Sequence, residues 1–341
     1  MSMQRRSQKG TTLVEMIVVT AIALVIILAS FQMLDETTRA TLFIETRNDL
    51  PIVAQEAVNY IQTAVSQSRV IFDADTGGIG PAYLTAVKLP AAFPLLEDSR
   101  MPLTHLNGQF VSDDDAGGNP YTGNCLLIAR QLPPITIKYT GGELVADRYR
   151  FEMFYLTKRT NWKFSNSDGY LDAMRARSMV YADFFQLNNL PDPPVNPTVR
   201  KEINEKLLAE NITYAWNPGG ALNSSFYRIT NNTANFYPLD VKPKLELSDV
   251  RSITPRIDNA RIFGKMSYSI AFRGPDEPFP IQTPVAKYAH VDTGKWMFPS
   301  GLEFKVVGNA TTRRVLTRMA VMAHYRAREY ASQEASVITA P

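Results

Sequence analysis

The chain has 341 residues, 45% of them hydrophobic, with 36 Lys plus Arg against 33 Asp plus Glu. That is globular composition, long enough for one large domain or two small ones, and it excludes a disordered chain, a collagen-like one or a mini-protein. Cys125 is the one cysteine, which excludes an internal disulfide and a cysteine-rich zinc site, and a formal charge of +3 is too small to mark a nucleic-acid binder by itself.

The chain opens MSMQRRSQKG and then runs TTLVEMIVVTAIALVIILASFQML before charge returns at Asp35 and Glu36. As a helix, Leu13 to Leu34 covers about 33 Å, enough for a bilayer core of roughly 30 Å. Only Glu15, Thr20, Ser30 and Gln32 interrupt its apolar character, and no Pro or Gly lies between Thr11 and Leu50. Arg5, Arg6 and Lys9 precede the span, which predicts a cytoplasmic start and an exported remainder. A secretory signal peptide has a shorter apolar region ending in a small-residue cleavage site, and its far end does not run on into helical sequence. A plain signal anchor explains the length and orientation but gives no reason for Glu15, because a carboxylate in the membrane costs several kcal/mol, by order of magnitude, unless it finds a partner.

Lys9-Gly10 followed by Thr11-Thr12-Leu13-Val14-Glu15 resembles the leader of the type IV prepilins and pseudopilins. The resemblance implies cleavage between Gly10 and Thr11 by a prepilin peptidase that also N-methylates the new terminus. Thr11 departs from the Phe or Met usual at that position. It also implies that Glu15 pairs with a neighbouring subunit's amino terminus in a filament. Removing residues 1–10 takes away Arg5, Arg6 and Lys9 and leaves 33 basic and 33 acidic side chains.

Beyond Leu34 the helical signal becomes one-sided. Leu50, Val53, Ala54, Ala57, Ile61, Ala64 and Val65 share a face, so one helix is expected from about Thr11 to Arg69, with Pro51 placing a kink near Arg47 and a sheet covering the stripe. Asp73 to Gly80 is a turn-rich break, and Pro, Gly and Asp recur up to Asn124. Cys125–Arg130 and Ile135–Thr140 read as strands, with Gly141-Gly142 a hairpin turn before Leu144–Lys158. The aromatic residues of Arg150–Leu156 read as core packing. PDPPVNP at Pro191–Pro197 is a stiff connection and Val199–Glu210 a short helix, which together with the Asn-rich turns to Asn235 mark an insertion around 191–235. Later strands are expected at Met266–Phe272 and Leu302–Val307, with a proline-rich loop at Pro275–Pro284; Val315–Tyr325 lacks helix breakers and fits either element, its alternation favouring a strand.

The fold class is therefore α+β: a long N-terminal helix packed on a mostly antiparallel sheet with long loops or insertions. The resemblance makes it type IV pilin-like, and size, Glu15 and aromatic strands are similar to the large minor pilins of the PilW type and the J-type minor pseudopilins. The segments are a 1–10 leader, an 11–34 membrane part, a 35–69 exported amphipathic part and a 70–341 extracytoplasmic β-rich domain.

Chemistry-bearing motifs are few. His105, His290 and His324 lie far apart, with no HExxH pattern, and no nucleophile elbow or Walker loop occurs; Gly77-Gly78-Ile79-Gly80 lacks dinucleotide-binding spacing. Cys125 reads as a buried structural residue. Asp113 and Asp115 occupy the first and third positions of an EF-like loop, with Gly118 at the sixth and Asn119 next. Asp113, Asp115 and Asn119 are thus calcium candidates. Against them, Asn124 stands where the bidentate Glu belongs and Pro120 breaks the spacing, which favours an acidic solvated loop. Arg313, Arg314, Arg318, Arg326 and Arg328 carry no recognition motif and read as solvated surface or a subunit contact, so nucleic acid is not an expected partner. No enzyme activity and no cofactor beyond the calcium candidate is expected. The resemblance implies a structural or assembly subunit of a type IV pilus or type II secretion pseudopilus in the bacterial inner membrane. Its implied partners are the prepilin peptidase, other pilins or pseudopilins and the inner-membrane assembly platform. The competing reading is a single-pass, membrane-anchored binding or adhesion module, which would link the chain to DNA uptake.

Overall fold

The structure, a computed structural model, describes residues 12–75, 77–97, 99–106, 122–158, 170–188, 197–231, 237–240, 245–253, 268–271, 288–289, 296–298, 302–309, 312–326 and 329–341. The chain divides into two compact units, Met1–Asp49 and Leu50–Pro341. Helix α1 runs Leu13–Ser66 and continues through Pro51. Strand β1 (Ser68–Phe72) follows it, then helix α2 (Gly80–Ala86) and the short strands β2 (Val87–Lys88) and β3 (Thr104–His105). The long strands β4 (Leu126–Tyr139), β5 (Gly142–Lys158) and β6 (Tyr170–Asp183) come next, followed by helices α3 (Phe184–Asn188) and α4 (Pro197–Ala209). After them stand β7 (Tyr214–Trp216), β8 (Phe226–Arg228), β9 (Leu245–Glu246), β10 (Asp249–Ser252), β11 (Tyr268–Ala271), β12 (Tyr288–Ala289) and β13 (Trp296–Phe298). The chain closes with β14 (Leu302–Val307), β15 (Arg314–Arg326) and β16 (Glu329–Thr339).

Twelve strands of the second unit form one mixed sheet, ordered β1-β4-β5-β6-β11-β15-β14-β3, with β10 and β7 also pairing with β6, β8 with β7 and β16 with β15. Neighbours are antiparallel except β14 with β3 and β6 with β7. The sheet is curled, and its ends are tied by polar contacts. Thr104 donates from its hydroxyl to Asp73 Oδ2 (2.9 Å) and from its N–H to Asp75 Oδ1 (3.0 Å), while Arg313 donates to Ile71 O (2.7 Å) and Asp73 Oδ2 (2.8 Å). Gly80 closes the intervening turn where a Cβ would lie 1.9 Å from the Asp73 carbonyl oxygen, so no other residue fits.

The expected helical stripe is buried. Val53, Ala54, Ala57, Ile61, Ala64 and Val65, together with Val58, pack against Ile71, Ile128, Phe154, Leu156, Phe304, Val306, Val315 and Met319; the Leu50 side chain lies outside the described residues. The opposite sheet face holds a second core of Phe72, Tyr83, Leu127, Phe151, Met153, Tyr155, Trp216 and Phe226. Strand β5 therefore buries residues of both parities, which explains why Met153–Leu156 is apolar without alternation. A third cluster seats Ile203 and Leu207 of α4 on Ile137 and Ala182. The Glu202 carboxylate anchors that helix to the β4–β5 turn by accepting from Thr140 N–H (2.9 Å); Lys206 Nζ, one turn along α4, donates to it as well (2.9 Å), and these bonds hold its pKa down at about 2.

Several expectations need correction. The helix stops at Ser66, three residues before Arg69, because Ser68–Phe72 pairs with β4. The two strands expected between Cys125 and Thr140 are one, with a bulge at Pro133-Pro134 between the pairs Leu132↔Arg148 and Ile135↔Ala146. Gly141 turns the hairpin at φ +105°, in the region that favours glycine. The segment around 191–235, read as an insertion, contributes α4, β7 and β8, with β7 paired to β6. β11, β14 and β15 match the expected strands to within two residues at each end.

Ile61 is fully buried in the interface between α1 and the sheet. Ile61→Ala is expected to lower stability by about 2–5 kcal/mol, read by denaturant unfolding, with the helix content of the native state retained.

Candidate functional site

Two arrangements of polar groups stand out, one in each unit. At the start of α1, Thr12 and Glu15 form a reciprocal cap. Thr12 N–H donates to Glu15 Oε2 (2.9 Å), and Glu15 N–H donates to Thr12 Oγ1 (3.3 Å). This capping box satisfies two N–H groups that a helix start leaves unpaired. Glu15 Oε1 forms no hydrogen bond with a described residue. Behind the cap the apolar residues are exposed on every side, with Leu13 at 78%, Ile17 at 58%, Val25 at 63% and Leu34 at 67%. The hydroxyls in this stretch turn inward, Thr20 to Met16 O and Ser30 to Ile26 O at 2.8 Å each. They thereby avoid unsatisfied polar groups in an apolar medium. Leu13–Thr41 is long and apolar enough to be a candidate membrane span, and Asp35 and Arg39 pair near its end.

The second arrangement centres on Glu152, whose side chain is fully buried on the sheet face covered by α1. Its Oε1 accepts from the Tyr60 hydroxyl (2.7 Å) and Arg177 Nε (2.6 Å), and Arg130 Nη1 donates to Oε2 (3.4 Å). Arg175 stands 4.0 Å from Oε1, donates to the Tyr60 hydroxyl (3.3 Å), and bonds Asp249 Oδ2 at 3.2 Å. Both Arg175 and Arg177 lie over the Tyr60 ring, 5.9 and 5.8 Å from its centroid. Burial, then the Glu152 carboxylate, push the Tyr60 hydroxyl pKa up, so it remains a donor at neutral pH. At Asp249, burial works upward but Arg175, Arg251 and Arg177 outweigh it and hold the pKa below the usual carboxylate range. This network fastens the flank of α1 to β4, β5, β6 and β10, with every oxygen of the buried carboxylate hydrogen-bonded.

Of the residues expected to carry function, Glu15 is described and sits in the cap. Gly10 and Thr11 lie outside the described residues, as do Asp113, Asp115 and Asn119 of the calcium candidate. Among the described residues there is no group of three or more His, Cys, Asp or Glu side chains placed to hold a metal. Asp73 and Asp75 are engaged with Thr104 and Arg313. Arg313 is therefore a sheet tie, and Arg318 stands 3.7 Å from Glu303 Oε2. His105 lies in β3 and His324 in β15, while His290 is outside the described residues. Cys125 is buried and its thiol pKa is pushed up to about 12 by burial, which leaves it protonated and unreactive at neutral pH. Comparison with known proteins finds no matching family model, curated protein or solved structure.

Sequence reasoning missed the Glu152 network. Its signal was present in Arg150-Phe-Glu152 and Arg175-Ala-Arg177, where charges recur every second residue inside strands otherwise fit for a core. Glu152→Ala leaves Arg175 and Arg177 without their shared carboxylate and is expected to cost about 3–5 kcal/mol by denaturant unfolding. Glu152→Gln keeps an acceptor for Tyr60 and is expected to cost less than Glu152→Ala.

Proposed function

We propose that the chain is a minor pilin or pseudopilin, a noncatalytic subunit with a type IV pilin-like fold that joins a pilus or pseudopilus through its N-terminal helix. The observation that carries this reading is the Thr12–Glu15 cap at the head of a helix apolar on all sides, directly after the Lys9-Gly10 junction. Cleavage after Gly10 creates an α-amino group with an ordinary pKa near ~8, positive at neutral pH, beside the capped turn. Glu15 Oε2 is used within its own chain, so the proposed partner for a neighbouring subunit's amino group is Oε1. An ion pair there offsets part of the desolvation of both charges when helices pack side by side. The apolar side chains from Leu13 to Leu34 are the surface that neighbouring helices cover on leaving the membrane.

The second half of α1, laid on a mostly antiparallel sheet that also has strands beyond its core, supports the same reading. A large exported domain suits a subunit used in few copies, at a tip or in initiation, and its partners are the prepilin peptidase, neighbouring pilins and the assembly platform. A cytoplasmic start and periplasmic domain follow from Arg5, Arg6 and Lys9.

The cap adds a distinction that tests the mechanism. Glu15→Gln preserves a capping acceptor but removes the charge, whereas Glu15→Val removes both. Quantified in isolated filaments, both variants are expected to fall at least five-fold below the parent while membrane levels stay the same. Incorporation of Glu15→Gln at the parental level, with loss only in Glu15→Val, would show that the cap matters and the ion pair does not. Undiminished incorporation of both would favour a membrane-anchored binding module.

A further inference from the structure

The sheet face under α1 carries more positive charge than its own acids neutralise. Arg130, Arg150, Arg175, Arg177 and Arg251 converge there around two carboxylates, Glu152 and Asp249. Both acids are already shared. Glu152 serves Tyr60, Arg130, Arg175 and Arg177, and Asp249 serves Arg175, Arg177 and Arg251.

Arg150 is the side chain left over. It stands directly opposite Arg130 in the β4–β5 register, a like-charge pair that destabilises a sheet unless something lies between its members. Its Nε is buried without a hydrogen-bond partner, and its guanidinium forms no ion pair with a described residue. Burial, and next the charge of Arg177, lower its pKa from the ordinary arginine value. Beside it β6 bulges, the pairing stepping from Glu152↔Arg177 to Arg150↔Val180, with Ser178 Oγ accepting from Phe151 N–H at 3.0 Å. The even-numbered residues of β5 place Arg150 between Phe154, which packs on α1, and Leu144, which packs beside α4. The position is reachable, since the Arg130 and Arg177 side chains are each 20% exposed and Arg251 at the rim is 75% exposed.

We infer that Arg150, flanked by Arg130 and Arg177, forms a binding site for a phosphate-type oxyanion. Guanidinium groups donate in planar forks that match such oxygens. A tetrahedral anion reaches donors on three adjacent strands, spaced about 4.8 Å apart, where one carboxylate spans fewer. The inference rests on β4, β5, β6, β10 and the Tyr60 contact of α1, and it is independent of the reading of the N-terminal end of that helix.

The test uses the full-length protein in detergent, with inorganic phosphate compared against chloride at equal ionic strength. Phosphate is expected to raise the melting temperature by roughly 2–4 °C at saturation. Arg150→Met is expected to abolish the rise, Arg150→Lys to weaken phosphate affinity at least five-fold, and Arg228→Met, an exposed arginine on β8, to keep the full response. Glycerol 3-phosphate separates the sources: tighter binding than inorganic phosphate assigns a lipid headgroup, and equal or weaker binding assigns the free ion. The proposal is overturned if phosphate gives no rise over chloride, if both Arg150 variants respond like the parent, or if only a poly-glutamate peptide produces the rise, which would assign the face to an acidic protein segment. Circular dichroism of each variant verifies that it is folded, and should Arg150→Met unfold, Arg150→Lys decides.

Discussion

The domain depends on burial of one helical stripe. From Val53 to Val65, α1 presents seven aliphatic side chains on one face, four of them Val or Ile and three Ala. A helix segment this short and one-sided is marginal in water, so its stability comes from what covers it. The covering surface draws on distant parts of the sequence: β1, β4, β5 and β6 from residues 68–183, β14 and β15 from the last forty residues. Small residues at Ala54, Ala57 and Ala64 let the sheet approach, and the sheet curls to reach Phe304 and Met319 as well as Ile128 and Phe154. The contacts among Asp73, Thr104 and Arg313 hold that curl, tying the chain near β1 to β3 and the turn between β14 and β15.

The same helix meets a different demand at its other end. There the side chains are apolar on all faces, and among the described residues they are exposed. Exposed apolar surface of this extent marks a membrane or another protein. Thr20 and Ser30 return their hydroxyls to the backbone, consistent with either medium, and Glu15 is the one carboxylate in that stretch. Its position at N3 of the helix gives it a local role in capping and an electrostatic one at the positive end of the helix dipole. Reading Glu15 only as an intermolecular group misses the first of these; reading it only as a cap leaves its placement within an otherwise apolar segment unexplained.

How far the fold was legible follows from where each signal resides. The α1 stripe was readable because its 3.6-residue period is local, and β14 and β15 because they are short apolar or alternating runs. The β4–β5 hairpin announced itself through Gly141-Gly142. The end of α1 did not, since Ser66-Gln67-Ser68 contains no breaker and only pairing with β4 makes Ser68–Phe72 a strand. Nor did β6: YLDAMRARSMVYAD carries Arg175 and Arg177 at buried or half-buried positions, and what makes those positions tolerable is Glu152 on another strand, Tyr60 on the helix and Asp249 on β10. Arg150 was hidden for the same reason, because its lack of an ion pair among the described residues is visible only once Glu152 and Asp249 are seen to be shared by other arginines. The calcium candidate at Asp113, Asp115 and Asn119 lies outside the described residues, and the fold adds nothing to it.

The central claim is that α1 begins at a processed terminus and acts in assembly through that end. Peptide and intact-mass analysis of the protein recovered from membranes of cells with a prepilin peptidase tests this most directly. The account predicts a mature chain starting at Thr11 in those cells and the unprocessed form in a peptidase-deficient strain. A chain that keeps Met1 or the basic residues Arg5, Arg6 and Lys9 in both strains would contradict it.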